Sequence, residues 1–217
     1  EIVSEERADW FRSNFDGGVC PFWLAGGGAA VREVQIAASQ PNVFSGGFSV
    51  QIGAGNAGGS VLAALYGYQT QASRLRWQMR LKGDGVNVVD ADLDYLSAIL
   101  YVYDGTTRHD LGMRLFSNYG ADEKLQYMNG AGVWTDVIGV EWPTLDEHRW
   151  HFLTMDFDLT NGLTERCMLN ENATEIQATF NTAASASIPY WYMAITMNVA
   201  NTGDTNRVFL DSFNITR

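Results

Sequence analysis

The chain has 217 residues and a formal net charge of −11 at pH 7, from 25 acidic and 14 basic side chains. This excess of negative charge disfavours electrostatic binding to nucleic acid or to an anionic membrane. No run approaches the ~18 consecutive apolar residues of a membrane-spanning helix, whereas a content of 46% hydrophobic residues is enough for a folded core.

The N-terminal quarter mixes strand-like runs with glycine-rich segments. Residues 1–12 carry many charges without alternation, and we interpret them as an arm that precedes the fold. Residues 14–28 predict a glycine-rich loop with an aromatic anchor, and residues 31–38 and 48–52 predict two strands. Residues 53–60 predict a mobile loop, which lacks the Gly-Lys-Ser/Thr of a phosphate-binding loop.

The clearest strand of the middle region is Arg74–Leu81, because its residues alternate between apolar and polar. Its polar face carries Arg74, Arg76 and Arg80, which must meet anions, acidic neighbours or water. The acidic residues 90–94 are one candidate partner, since charge runs are usually solvated or paired. Further strands are predicted at residues 96–103, 111–116, 125–129 and 133–140.

Residues 148–170 predict a central hairpin in which two strands are joined by Asn161-Gly162. Asn-Gly is typical of the tight turn that requires two residues with positive φ. Later strands are predicted at residues 174–180, 188–199 and 207–217. About a dozen short strands without an amphipathic helix predict an all-β antiparallel sandwich that forms a single domain over residues 13–217.

The two cysteines, Cys20 and Cys167, are too few for a disulfide scaffold. One long-range disulfide and two buried free thiols are the alternatives. Because unpaired cysteine is commonly buried, two free thiols are favoured.

Three segments carry a resemblance to a known group of folds. The first is Asn14-Phe15-Asp16-Gly17-Gly18, followed by Trp23 and by Ser45-Gly46-Gly47-Phe48. The second is the hairpin, with its aromatic-His opening and an acidic residue before Asn-Gly. The third is the last strand, with Asp211 after an apolar pair. Together they resemble the concanavalin A-like β-sandwiches of the laminin G-like and carbohydrate-binding type, which implies an antiparallel jelly roll and a carbohydrate ligand.

The same resemblance implies a structural Ca²⁺ ion. Many carbohydrate-binding jelly rolls hold calcium between an acidic residue near the first strand and an aspartate of the last strand, and Asp16 and Asp211 occupy those positions. Backbone carbonyls near residues 45–46 would complete the shell of hard oxygen ligands. The chain has Asp211-Ser212 in place of the frequent paired aspartate, which removes one ligand.

The strand at residues 188–199 carries the candidate ligand site. One face is apolar, and the other pairs two tyrosines with a threonine and an asparagine. Aromatic rings cover the C–H patches of a sugar and polar groups bind its hydroxyls. The alternative is that tyrosine is present only because it favours strands. The predicted ligand-binding residues are Tyr190, Tyr192, Asn198, Arg76 and Arg114.

No catalytic signature is recognised. The sequence lacks Gly-x-Ser-x-Gly, the Glu-x-Asp-x-x-Glu of laminarinase-type glucanases and the Arg/Gln/His/Tyr signatures of alginate lyase sandwiches. His148 and His151 differ in parity and would point to opposite faces of a strand, so they cannot share a metal.

The sequence therefore favours a non-catalytic, lectin-like module that binds glycans, displayed on an extracellular or particle surface. One alternative is a structural decoration or adhesion subunit of a virion or extracellular assembly, with a homo-oligomeric or capsid partner. The second alternative is a polysaccharide hydrolase or lyase. Neither a nucleic-acid partner nor insertion into a membrane is expected.

Overall fold

The structure of the protein is a computed structural model, which describes residues 9–13, 15, 20–27, 31–37, 49–55, 59–68, 72–83, 93–117, 123–140, 149–199 and 205–217. These residues form sixteen strands, and none of them is helical. A helix able to cross a membrane is therefore not found among the described residues. The strands are β1 Asp9–Ser13, β2 Trp23–Gly26, β3 Val31–Ala37, β4 Ser49–Gly55, β5 Gly59–Gly67, β6 Arg74–Gly83, β7 Leu93–Tyr103, β8 Thr107–Phe116, β9 Lys124–Met128, β10 Trp134–Asp136, β11 His151–Asp158, β12 Leu163–Leu169, β13 Asn172–Thr179, β14 Asn181–Ala184, β15 Tyr190–Val199 and β16 Thr205–Thr216.

The strands form two antiparallel sheets. The first sheet has the order β13-β12-β11-β6-β16-β4-β3, and β1 also pairs with β16. The second sheet has the order β10-β9-β8-β7-β15-β5-β2, and β14 also pairs with β8. Strands that are close in sequence often belong to different sheets, as in a jelly roll. The predicted all-β jelly-roll sandwich is confirmed.

The core lies between the two sheets and is built by strict alternation along the strands. In β6, Trp77, Met79 and Leu81 are at most 1% exposed. In β15, Trp191 and Met193 are equally buried. Each of these side chains contributes roughly 1.5–3 kcal/mol through burial of apolar surface. The intervening residues of both strands therefore point away from the core.

The predicted hairpin is present, but its turn differs from the expected one. Residues 159–162 form a four-residue turn in which Gly162 has a φ of 69°. Asn161 is not in the left-handed region. Instead, its backbone N–H donates to Asp158 Oδ1 at 2.9 Å and its side-chain amide donates to Asp158 Oδ2 at 2.7 Å. The acidic residue before Asn-Gly therefore caps the turn, and only glycine is needed at positive φ.

Two glycine-rich stretches predicted as loops are strands at their described positions. β4 extends to Gly55, and β5 begins at Gly59 and pairs with β15 over nine residues. Residues 56–58 lie outside the described part of the chain. Glycine and alanine have low strand propensity, but pairing with neighbouring strands overrides that preference here. Trp23–Gly26, also predicted as loop, pairs with the other edge of β5.

The predicted arm at residues 1–12 overlaps the first strand. Asp9–Ser13 pairs with the C-terminal half of β16, from Phe213 to Thr216. The predicted boundary between arm and sandwich therefore falls within a strand, and residues 1–8 lie outside the described residues.

Cys20 and Cys167 are both unpaired, as favoured from the sequence. Cys167 is fully buried in the core, and burial raises the pKa of its thiol to about 11. The thiolate is disfavoured at neutral pH, and this cysteine therefore behaves as a small apolar side chain.

Gly67→Ala tests the packing of the second sheet. A Cβ at this position would lie 2.6 Å from two carbon atoms of the Trp191 indole, inside van der Waals contact. We expect the substitution to lower the free energy of unfolding by about 1–3 kcal/mol, because the buried indole must move. Urea unfolding measures the change.

The matched control is Gly26→Ala, where an added Cβ meets no atom within 4 Å. Its free energy of unfolding should stay within about 0.5 kcal/mol of the wild-type value. Equal stabilities for the two variants would contradict the packing shown for Trp191.

Candidate functional site

The candidate site lies on the face of the second sheet that points away from the core, which we call the open face. Cross-strand register aligns polar and aromatic side chains in rows that run across the strands. One row, which we call the aromatic row, crosses β5, β15, β7, β8 and β14. It consists of Tyr66, Tyr192, Tyr101, Asp110 and Asn181.

A second row lies four residues away from the first along the shared strands β5, β15, β7 and β8, and we call it the polar row. It crosses β5, β15, β7, β8, β9 and β10. It consists of Leu62, Thr196, Ser97, Arg114, Gln126 and Asp136. Because a strand rises about 3.3 Å per residue, the two rows are about 13 Å apart.

Apolar residues occupy the strip between the two rows. Its members on neighbouring strands are Ala64, Ala194, Ile99 and Gly112. Trp23 pairs with Ala64 at one end, and at the other end the Trp134 ring lies 3.2 Å from the position of a Cβ on Gly112. The larger side chains of the two rows border this strip, and a tryptophan lies at each of its ends. We call this arrangement the groove.

The rings of the groove hold one another in place. Tyr103 and Tyr190 stack with centroids 4.2 Å apart and planes 8° apart, and Tyr101 stacks on Tyr192 at 5.9 Å. At the β2 edge, Trp23 contacts Tyr66 edge-to-face at 5.3 Å. Trp23 is 40% exposed and Tyr66 is 51% exposed. This edge therefore presents aromatic surface to solvent without covering it with other side chains.

The tyrosines of the open face hold their protons tightly. Burial, together with a hydrogen bond to Tyr103, raises the pKa of Tyr190 to about 12. Burial also raises the pKa of Tyr101 and of Tyr192, and the Asp110 carboxylate adds to the rise at Tyr101. At neutral pH these phenols are uncharged hydrogen-bonding groups.

Asp110 is the buried anion of the aromatic row. Its carboxylate accepts two hydrogen bonds from Arg108, at 2.6 and 2.8 Å, and one from the Asn181 amide at 2.7 Å. The Arg108 guanidinium also lies 5.3 Å from the centre of the Tyr101 ring. Because the carboxylate is 3% exposed and fully engaged, it fixes its neighbours and is not available to react with a ligand.

Arg114 is the cation of the polar row, and aromatic rings surround it. Its guanidinium lies 4.7 Å from the Phe116 centroid and 4.9 Å from the Trp134 centroid. Its Nε donates to Gln126 Oε1 at 2.6 Å, while Gln126 Nε2 donates to Asp136 Oδ1 at 2.6 Å. Arg114 donates a hydrogen bond to a described residue only through its Nε. Its two terminal nitrogens are therefore available to a ligand.

Four of the five predicted ligand residues lie on the open face. Tyr192 lies in the aromatic row, Tyr190 lies two residues beyond it on β15, and Arg114 lies in the polar row. Asn198 lies beyond the polar row, and its amide donates to Asp94 Oδ2 at 2.9 Å. Their role in binding stays a prediction.

Arg76 is not brought together with the other four residues, and the expectation that it joins them is wrong. It lies on the outer face of the first sheet, because β6 and β15 belong to different sheets and turn their polar faces in opposite directions. It makes a bidentate ion pair with Asp156, which Arg166 also contacts at 2.5 Å. These pairs, together with Arg74–Glu165 at 3.2 Å, supply acidic neighbours for Arg74 and Arg76, which is one of the alternatives that the sequence left open. Of the acidic residues 90–94 that were the candidate partner, Asp94 instead accepts a hydrogen bond from Asn198 on the second sheet, and residues 90–92 lie outside the described residues.

Sequence reasoning missed several residues of the groove. Tyr101 belongs to a strand that was predicted, and its alternation with buried neighbours was a usable signal. Tyr66 and Gln126 gave no such signal. They belong to the site only because long-range pairing places β5 and β9 in the same sheet as β15.

Of the predicted calcium ligands, the structure describes one. Asp211 is fully buried, accepts a hydrogen bond from Ser212 Oγ at 2.9 Å, and has Arg80 as its cross-strand neighbour. Asp16 and residues 45–46 lie outside the described residues. Elsewhere in the described chain, no three carboxylate, histidine or cysteine side chains converge as a metal site would require. A buried carboxylate oxygen has the ligand chemistry that Ca²⁺ prefers, and the calcium site stays a prediction.

Comparison with known proteins identifies the fold. Neither a family model nor a curated protein sequence matches the chain. Solved structures do match. The endo-β-1,4-glucuronan lyase of the fungus Trichoderma reesei superposes with a TM-score of 0.59 at 10% identity, covering 96% of this chain and 95% of the lyase. The chain has a concanavalin A-like β-sandwich fold.

Two further matches support this fold. The Emp47p carbohydrate recognition domain gives a TM-score of 0.54 at 9% identity, covering 86% of this chain and 87% of that domain. A carbohydrate-binding module of the β-sandwich superfamily gives a TM-score of 0.51 at 12% identity, covering 98% of this chain. This chain spans 64% of the length of that last structure. At such low identities the matches establish the fold alone.

Alkaline pH should destabilise the folded protein through the tyrosines of the open face. A phenol whose pKa is raised by folding binds its proton more tightly in the folded state than in the unfolded chain. Stability is therefore unaffected below the unfolded value of 10.0 and is lost as the pH rises toward about 12. We expect Tyr190→Phe to lose less stability over this interval than the wild type, measured by urea unfolding at a series of pH values. Identical pH slopes for the two proteins would contradict the assignment.

Proposed function

We propose that the protein is a glycan-binding module that holds a polysaccharide chain in the groove of the open face. The observation that carries this proposal is the alignment of the aromatic and polar rows on either side of an apolar strip. The strip between the rows spans the four strands β5, β15, β7 and β8, which at about 4.8 Å per strand spacing gives a length of about 14 Å. This is a suitable shape for an extended chain with several sugar units.

The chemistry of the walls suits a hydroxylated ligand. Trp23 and Tyr66 offer exposed ring surface for the C–H faces of sugars. The uncharged phenols of the aromatic row donate and accept hydrogen bonds, and the terminal nitrogens of Arg114 donate toward hydroxyl or carboxylate oxygens. Because neighbouring rings already hold these side chains in place, little conformational entropy is lost on binding. The carbohydrate-binding proteins among the similar structures support the same ligand class.

A polysaccharide lyase is the second candidate, and Arg114 with Gln126 favours it. Arg114 Nε lies 2.6 Å from Gln126 Oε1, and the Arg114 guanidinium could neutralise the carboxylate of a uronate beside this amide. A neighbouring phenol could donate a proton to the departing oxygen. Some similar structures are lyases, including an alginate lyase of a Chlorella virus with a TM-score of 0.54. One observation argues against a lyase. Elimination also needs a base, and the raised pKa values of Tyr101 and Tyr192 oppose formation of the phenolate that would act as this base.

Tyr192→Ala tests the binding function. The ring of Tyr192 stacks on Tyr101 and borders the groove, so its removal should weaken polysaccharide binding about tenfold, or about 1.4 kcal/mol. Tyr192→Phe keeps the ring and should keep most of the affinity. Affinity electrophoresis against soluble neutral and uronate polysaccharides measures both variants. The surface control is Ile188→Ala, whose side chain is 72% exposed.

The same panel separates the two candidate functions. A binding module retains the polysaccharide without changing it. A lyase releases unsaturated products, detected by their ultraviolet absorbance, and this activity would be lost in Gln126→Leu. If no polysaccharide binds the wild type, or if Tyr192→Ala binds as tightly as the wild type, the groove is not a glycan site.

We also propose a structural Ca²⁺ ion with Asp211 as one ligand, which would tie the last strand to the N-terminal region. Chelation should lower the melting temperature, and added CaCl₂ should restore it, because a ligand that binds only the folded state stabilises it. Asp211→Asn should abolish this response. A melting temperature that is insensitive to both chelation and calcium would show that the buried Asp211 is balanced by protein groups such as Arg80.

The extracellular or virion-surface location and the role as an assembly subunit stay predictions. The assembly role depended on the N-terminal residues, of which 1–8 lie outside the described part of the chain.

A further inference from the structure

A pocket of about 620 Å³ opens on the outer face of the first sheet, on the opposite side of the sandwich from the groove. Residues of β1, β6, β11 and β16 line it. They comprise two arginines, two amides, two serines and one phenylalanine. This volume lies in the range of roughly 300–1,000 Å³ that is typical of sites for small ligands.

A β-bulge in the last strand shapes the pocket. In the pairing of β16 with β6, Asp211 lies opposite Arg80 and Asn214 lies opposite Gln78. An advance of three residues on β16, from Asp211 to Asn214, therefore pairs with an advance of two residues on β6, from Arg80 to Gln78. The extra residue is accommodated where Ser212 adopts a φ of 50°, in the left-handed region that a serine rarely occupies. Bulges of this kind redirect side chains and are frequent beside binding sites, and strained residues cluster there as well.

Two of the described residues that line the pocket are cationic, although the chain as a whole is acidic. These are Arg12 and Arg80, and none of the described lining residues carries a carboxylate. Arg80 Nη1 donates to Ser212 Oγ at 3.2 Å, and the guanidinium lies 5.6 Å from the centre of the Phe152 ring. Asp211 is fully buried and is not among the lining residues, and its carboxylate accepts a hydrogen bond from the Ser212 hydroxyl. Two guanidinium groups in one pocket favour an anion with planar oxygen geometry, such as a carboxylate.

The other lining groups suit the body of a hydroxylated ring. Phe152 supplies an apolar surface at one wall. Asn214 and Gln78 are register partners on adjacent strands and place two amides side by side. The Gln78 amide nitrogen donates to Thr154 Oγ1 at 3.3 Å, which orients its oxygen as an acceptor for a ligand hydroxyl.

We propose that this pocket is a second ligand site, which binds a sugar acid. Its carboxylate pairs with Arg12 and Arg80, its C–H face lies on Phe152, and its hydroxyls bind the amides of Gln78 and Asn214. The site is independent of the groove, since the two lie on opposite faces of the sandwich. It does not depend on the glycan-binding function proposed for the groove.

Calorimetric titration with sodium glucuronate at low ionic strength tests the proposal, with glucose and sodium sulfate as comparison ligands. We expect glucuronate to bind the wild type and glucose, which lacks the carboxylate, to bind at least about tenfold more weakly. Sulfate, which lacks the ring, should also bind more weakly than glucuronate. No glucuronate binding, or sulfate binding as tightly as glucuronate, would overturn the sugar-acid assignment.

Variants locate the binding. Arg12→Gln changes an exposed arginine at the rim and Arg80→Gln changes the inner one, and each should weaken glucuronate binding about tenfold or more. Circular dichroism and the melting temperature confirm that each variant is folded. Arg74→Gln, which changes an exposed arginine of β6 outside the pocket, is the matched control and should leave glucuronate binding unchanged. Arg114→Gln reports separately on binding in the groove. If Arg114→Gln abolishes binding while Arg12→Gln does not, glucuronate binds in the groove and the second site does not exist.

A glucuronate oligosaccharide distinguishes the source of the ligand. If the pocket takes the end of an acidic glycan, the oligosaccharide should bind at least as tightly as the monosaccharide and should show the same loss in Arg12→Gln. If the pocket takes only a free sugar acid, the oligosaccharide should bind more weakly. Both results support a sugar-acid site and assign its ligand.

Discussion

The pairing of β15 between β5 and β7 is the constraint on which the candidate site depends. Along its whole length β15 is hydrogen-bonded on both sides, so its register is fixed by two neighbours at once. A slip of one residue would move Trp191 and Met193 out of the core and the tyrosines into it. The cost of exposing such side chains holds the aromatic row in alignment, and the groove is therefore a consequence of core packing.

The two faces of the sandwich use their charged groups differently. On the open face, the Asp110 carboxylate accepts hydrogen bonds from Arg108 and Asn181, whereas Arg114 donates to a described residue only through its Nε. On the outer face of the first sheet, Asp156 is shared between two arginines. The bulge beside Asp211 then gathers two further arginines into one pocket. Arginines thus lie at both candidate sites of a strongly acidic chain.

The aromatic content of the chain also has two separate structural uses. Trp77 and Trp191 are core residues, and neither buried indole nitrogen has a hydrogen-bond partner among the described residues. Trp23 and Trp134 instead close the two ends of the groove. Their ring surface is supported by neighbouring rings and does not extend the core. The same residue type therefore packs in the core at two positions and borders the candidate site at two others.

The sequence by itself determined the fold class and the direction of each side chain within its strand, because alternation with a period of two is a local property. It thus placed Tyr190, Tyr192 and Asn198 on one face and Trp191 on the other. Only the tertiary structure decided which strands are neighbours. Register and sheet order depend on hydrogen bonds between distant segments, and no local pattern encodes them. For that reason Arg76, alternating as clearly as Arg114, belongs to the opposite sheet, while Tyr101 lies directly beside Tyr192.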